Sequence, residues 1–218
     1  MKSLKELYKV GKGPSSSHTM GPQKAAKIFL EKNRSASSFD VVLYGSLAAT
    51  GKGHMTDVAI SEVLEEVAPV NIIWRPQVFL PYHPNGMDFK AYDADRNVVD
   101  EWTVYSIGGG ALSEGKGADD MFNTPEVYEL NTMTDVMKWC ERTGRNYWEY
   151  VQLNEDESLW DYLDVVWQTM KQSVLRGIKH EGRLPGPLNL PRKAPTYYIK
   201  ASGYKQSLQA RGLVYAYA

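Results

Sequence analysis

One short apolar strand with a helical pattern on either side of it, followed by two alternating segments joined by a polar turn, narrows the folds open to this chain. Val41, Val42, Leu43 and Tyr44 form an apolar, partly β-branched run closed by Gly45, which reads as a buried strand. Before it, Pro22 sits where a helix starts well, and Ala25, Ala26, Ile28, Phe29 and Leu30 supply a stripe that predicts a helix over residues 22–32. After it, Val58, Ile60, Val63, Leu64 and Val67 recur at helical spacing over residues 56–67 until Pro69 intervenes. Residues 70–74 and 77–80 read as strands broken by Pro76 and Pro81. Residues 89–92 and 98–107 alternate as a half-exposed antiparallel pair does, with Asp95, Arg96 and Asn97 as the hairpin turn. A small mixed or antiparallel sheet covered by helices is an α+β domain.

Beyond the sheet the chain reads as a helical extension. Val136, Met137, Trp139 and Cys140 lie on an amphipathic helix ending at Gly144, and Leu159, Tyr162, Leu163, Val166, Trp167, Met170 and Val174 define another over residues 158–176. Four prolines over residues 181–195 predict an extended linker, and helical spacing resumes over residues 202–218. At the other end, Ser3 caps a short helix carrying Leu4, Leu7, Tyr8 and Val10. The organisation expected is a domain over residues 1–152, a helix and Pro-rich linker over 153–195, and the truncated start of a further domain over 196–218.

Charge and composition remove several functions. With 25 basic and 26 acidic residues the formal charge is -1, so nothing marks a nucleic-acid or anionic-membrane surface. No stretch is long and apolar enough to span a bilayer, and the start lacks the apolar core of a signal peptide, so a soluble cytoplasmic protein is expected. The single cysteine, Cys140, excludes an intrachain disulfide and reads as a small buried hydrophobe.

Chemistry concentrates in two segments. GPSSSHTMGP, residues 13–22, places Ser15, Ser16, Ser17 and Thr19 around His18 between two Gly-Pro steps. Hydroxyls there serve either to bind a carboxylate or to cap the following helix, and the imidazole exchanges protons near neutral pH. VVLYGSLAATGKGHMTD, residues 41–57, is read as a strand, a small-residue loop, and then His54, Thr56 and Asp57 at a helix start. Residues 45–52 superficially resemble a phosphate-binding loop, but five residues separate the glycines and Gly53 stands where a magnesium-holding hydroxyl is needed. Nucleotide hydrolysis is therefore set aside. Asn85-Gly86 reads first as a turn pair, His83 as a surface or locally bonded residue, and Gly108, Gly109 and Gly110 as a place where another segment or a ligand approaches closely.

These two segments, with Asn85-Gly86-Met87 in YHPNGMDFKAY, YSIGGG at residues 105–110, VWQTM at 166–170 and EGRLPGPLNLPRKA at 181–194, together resemble the iron-sulfur-dependent L-serine dehydratases. The likeness runs from about residue 3 to the end and is to the amino-terminal beta region of the bacterial single-chain form. It implies a fold similar to the allosteric substrate-binding domain of phosphoglycerate dehydrogenase. It also implies conversion of L-serine to pyruvate and ammonia by β-elimination, with a [4Fe-4S] cluster whose open iron takes the leaving hydroxyl. The cluster ligands belong to the alpha region outside this chain, so no metal site is expected here and the fragment alone is expected to be inactive. An alpha-region partner, a homodimer, and roles in amino-acid catabolism and gluconeogenesis are further implications.

Carried onto this sequence, the resemblance gives His54, His18 and Thr56 catalytic roles. Ser16, Ser17, Thr19, Asp57 and Asn85 become substrate-binding candidates, with Asp57 also able to orient an imidazole. The alternative is an amino-acid or anion-sensing module without catalytic residues.

Overall fold

The computed structural model describes residues 1–117 and 120–203. The chain packs as two compact units, Gly11–Pro125 and the segment Met1–Val10 together with the chain from Glu126 onward.

In the first unit a five-stranded sheet runs in the order β2-β1-β3-β4-β5. Its strands are β1 (Ser38–Tyr44), β2 (Val70–Arg75), β3 (Gly86–Tyr92), β4 (Val98–Gly108) and β5 (Ala111–Ser113). β1 pairs with β2 in parallel and with β3 antiparallel, and β3, β4 and β5 continue antiparallel. The sheet is therefore mixed, as the α+β reading expected. Along β1 every second residue is buried, so Phe39, Val41 and Leu43 point to one face. They join Met87, Phe89 and Ala91 of β3 and Val104 of β4 in a single core.

Two helices cover that face. α1 (Gly21–Lys32) contributes Ala25, Ala26, Phe29 and Leu30, and α3 (Thr56–Leu64) contributes Ile60, Val63 and Leu64. Phe29 is the keystone aromatic, with its ring centroid 5.3 Å from Phe89 and 6.4 Å from Trp102. Each such side chain stabilises the fold by about 1.5–3 kcal/mol relative to exposure.

Three local expectations are corrected. Residues 45–50, read as a loop, form a short helix, α2 (Gly45–Thr50), because Leu47, Ala48 and Ala49 favour that state and Leu47 is fully buried. Residues 77–80 are not a strand. Flanked by Pro76 and Pro81, they use a single backbone acceptor, the Val78 carbonyl, to receive the Gly45 N–H at 2.9 Å. The triple glycine is explained by its own backbone: Gly108, Gly109 and Gly110 have φ of 106°, 60° and 75°, and a Cβ on Gly108 or Gly109 would meet nothing within 4 Å. At Gly108 and Gly109, positive φ in the β4–β5 turn and not close approach requires glycine, while Gly110 combines positive φ with burial.

In the second unit, Ser3 caps a single 3-10 turn, Leu4–Glu6. α4 (Met133–Thr143) starts at a Thr132 cap and stops at Gly144 with φ 69°, as its sequence indicated. α5 (Tyr147–Asn154) opens with a reciprocal cap between Asn146 and Glu149. α6 (Ser158–Gly177) buries Leu159 and Val166. Cys140 is half-buried and packs against the small cluster of Tyr128, Val136 and Tyr150.

The proline-rich segment is not simply extended. Arg183 bridges to Pro191, and Leu184 N–H donates to the Leu190 carbonyl at 2.8 Å, closing a loop with left-handed Asn189. α7 (Ala194–Gly203) follows. The helix expected over residues 202–218 lies almost wholly outside the described residues.

Candidate active site

Two turns meet at one end of the sheet unit. The first is a single π-helical turn, Ser16–Met20, continuous with α1. Ser15 caps it, its Oγ accepting the His18 N–H at 3.1 Å. The second runs from Gly51 to Met55, between α2 and α3. Gly51 is needed there for close approach, since a Cβ would fall 2.2 Å from the Leu47 carbonyl oxygen and 2.8 Å from the Trp74 ring. Met55 takes the left-handed conformation with φ 57°, turning the chain sharply between His54 and Thr56.

Reciprocal hydroxyl bonds lock the turns together. Thr19 Oγ1 donates to the His54 carbonyl at 2.8 Å, and Thr56 Oγ1 donates to the His18 carbonyl at 2.5 Å. Both threonines are buried, Thr56 completely. Each buried hydroxyl thus satisfies a carbonyl that would otherwise be costly to leave unpaired. The result is a pair of imidazoles with centroids 4.8 Å apart and planes inclined at 36°.

The two rings are held differently. His54 Nδ1 lies 3.0 Å from the Thr50 carbonyl oxygen. A carbonyl only accepts, so neutral His54 carries its proton on Nδ1 and presents Nε2 as a lone-pair atom. His18 has Ser17 Oγ 2.9 Å from Nδ1 and Ser46 Oγ 3.3 Å from Nε2. Burial, followed by the nearby His54, holds His18 below the ordinary imidazole value, so it rests neutral at neutral pH. A half-buried base beside a neutral imidazole is equipped for proton transfer.

Of the residues expected from sequence, His18, His54, Thr19, Thr56 and Ser17 come together. Ser16 is exposed on the same turn, and the N–H groups of Ser16 and Ser17 have no hydrogen-bond acceptor among the described residues. Asp57 sits half-buried in the first turn of α3, with no hydrogen bond to either imidazole among the described residues. Asn85 is buried immediately before β3. Its Nδ2 donates to the Ser106 carbonyl at 3.1 Å, its N–H to His83 Nδ1 at 3.1 Å, and its Oδ1 has no partner among the described residues. Asn85-Gly86 therefore ties β3 to β4, and His83 is the locally bonded residue expected.

Ser46 was missed by sequence reasoning. The one signal for it was its position just after the glycine that closes the buried strand. No three metal-ligating side chains converge among the described residues, and Cys140 lies on α4.

Residues 3–74 and 62–116 match the family model described as serine dehydratase beta chain. The L-serine dehydratase of Haemophilus influenzae is 34% identical over 245 aligned positions, taking in 91% of this chain and 54% of that protein. L-serine dehydratase 1 of Escherichia coli K12 is 36% identical over 241 positions, taking in 89% of this chain and 53% of that protein. The L-serine dehydratase of Streptomyces coelicolor is 32% identical over 241 positions, with 88% and 53% covered. The chain spans about half the length of the curated relatives it matches.

Proposed function

Because the chain belongs to the serine dehydratase beta chain family, we propose that it supplies one wall of an active site that converts L-serine to pyruvate and ammonia. The observation that carries this reading is His54, whose Nδ1 is tied to the Thr50 carbonyl so that Nε2 is left free to accept a proton. Removing the weakly acidic Cα proton needs a base at that kind of position. The open N–H groups of Ser16 and Ser17, with the Ser16 hydroxyl, suit the substrate carboxylate at the start of a long helix.

In this reading His54 Nε2 takes the Cα proton as the Cβ–O bond breaks, and the departing hydroxide takes up the proton that His54 Nε2 gives back, leaving 2-aminoacrylate, water and a neutral His54. Tautomerisation and hydrolysis of the resulting imine then release ammonia and pyruvate. In this reading Thr19 and Thr56 act by positioning the rings through the two backbone carbonyls.

The described residues do not fit a [4Fe-4S] cluster, which takes several thiolates, since the chain's one cysteine is half-buried on α4. Its ligands belong, in this proposal, to the alpha region outside this chain, and no step is derived through it. The alpha region is the partner that completes the cleft.

The test is to assay L-serine with the 218-residue chain alone and again with the remaining half of the enzyme supplied as a second polypeptide. No pyruvate from the chain alone, and pyruvate on complementation, is the expected result. Pyruvate from the chain alone would overturn the division of the site.

A further inference from the structure

The backbone on both sides of His18 is fixed, yet its ring proton is not. Its N–H goes to Ser15 Oγ and its carbonyl receives Thr56 Oγ1. Each ring nitrogen faces a hydroxyl, Ser17 at Nδ1 and Ser46 at Nε2, and the Ser46 backbone is a further hydrogen-bond partner of the ring. A hydroxyl both donates and accepts, so either neutral tautomer satisfies both nitrogens. His54 has no such freedom, because its Nδ1 partner is a carbonyl. Ser46 is itself anchored: its N–H donates to the Pro84 carbonyl at 3.0 Å and its own carbonyl receives Thr50 Oγ1 at 3.0 Å. Among the described residues its hydroxyl has no partner besides His18.

We propose that Ser46 is a positioning residue that completes a Ser17–His18–Ser46 proton relay beside His54. The relay balances without any change in electron count. A proton arriving at Ser46 Oγ is matched by the Ser46 hydroxyl proton passing to Nε2, the Nδ1 proton passing to Ser17 Oγ, and the Ser17 hydroxyl proton leaving to water. Its neutral resting state follows from the burial of the ring. Run in either direction, it moves one proton along the Ser17–His18–Ser46 line and leaves His18 neutral in its other tautomer. The use of this relay in turnover rests on the dehydratase reading of the site; the tautomer contrast does not.

Long-range proton–nitrogen correlation spectra of the full chain, with histidine nitrogens labelled, test it at pH 7.5. His54 is expected as a single Nδ1-protonated tautomer, and His18 as an average of two tautomers. Ser46→Ala should separate the two His18 nitrogen signals while leaving His54 unmoved, and Ser46→Thr, which restores the hydroxyl, should return the average. Ser17→Ala supplies a second variant acting at the other nitrogen. A wild-type His18 locked in one tautomer, or His18 signals unmoved by Ser46→Ala, would overturn the relay. In the complete enzyme, Ser46→Ala should lower kcat about tenfold with KM little changed, and Ser46→Thr should recover it. Unchanged kcat with the spectral signature intact would overturn the relay's use in turnover. Unchanged turnover in His54→Ala would instead overturn the dehydratase reading and leave the tautomer assignment standing.

Discussion

The sheet unit is built from its core, whereas the helical unit is built from its caps. Among the described residues, the largest fully buried side chains include Phe29, Phe39, Phe89, Leu43, Leu47, Ile60, Leu64 and Met87 in the first and Leu159 in the second. In the helical unit, Trp160, Trp167, Met170 and Leu175 are exposed, and helix ends are fixed by Thr132, Gly144 and the Asn146–Glu149 pair. The difference teaches where a preset site belongs. Two imidazoles joined by buried hydroxyls stay in place only on a densely packed base, and only one unit offers that base.

Truncation inside the core should separate the units most. Phe29→Ala removes a ring that meets Phe39, Phe89 and Trp102, and should cost about 3–5 kcal/mol in urea unfolding. A loss below ~1 kcal/mol would break the comparison. Thr56→Val keeps the shape but leaves the His18 carbonyl unpaired in a buried place, so a loss of roughly 1–3 kcal/mol is expected. The same variant should broaden the His18 and His54 ring signals.

For the cap-built unit, Gly144→Ala meets no neighbouring atom but must adopt left-handed φ, which should cost about 1–2 kcal/mol. A cost much larger than that would mean hidden packing at the end of α4.

Acid should give the finest distinction. Against the upward push of burial, hydrogen bonds from Ser113, Phe122, Glu114 and Gly115 hold Asp120 below the ordinary carboxylate value. Glu155 is likewise held low by Ser3, Tyr128, the Leu4 N–H and Lys5. Both carboxylates stabilise their units above the ordinary carboxylate range, and that contribution is lost as pH falls through their lowered values. The sheet unit has an additional, earlier loss. Burial lowers His18 and His83, so the unfolded chain binds more protons and stability falls as pH drops below about 6.5, the ordinary histidine value. Unfolding followed from pH 7.5 to 5.5 should show that loss, and the double variant His18→Gln with His83→Gln should flatten it. An unchanged slope in the double variant would contradict the assignment.

Much of this architecture was readable beforehand because it rests on local patterns. The stripe from Ala25 to Leu30, the alternation around Phe89 and Trp102, and the Gly144 stop each follow from periodicity or backbone freedom. What escaped is tertiary. Residues 45–50 look like a glycine loop until Leu47 is seen to be buried, and Gln77 to Leu80 look like a strand until their flanking prolines are weighed. At the site, sequence brought His18 and His54 forward as residue types, but the exchange of threonine hydroxyls joins residues 35 and 38 positions apart. Ser46 was invisible for the same reason, lying 28 positions from the ring it faces.

In the proposed mechanism His54 Nε2 is the atom that receives the substrate Cα proton. Exchange of that proton with solvent deuterium, measured in the complete enzyme with L-serine, addresses it most directly. His54→Ala should lower both exchange and pyruvate formation by about 10²–10⁴-fold, with His83→Ala close to wild type. Exchange at the wild-type rate in His54→Ala would contradict the account.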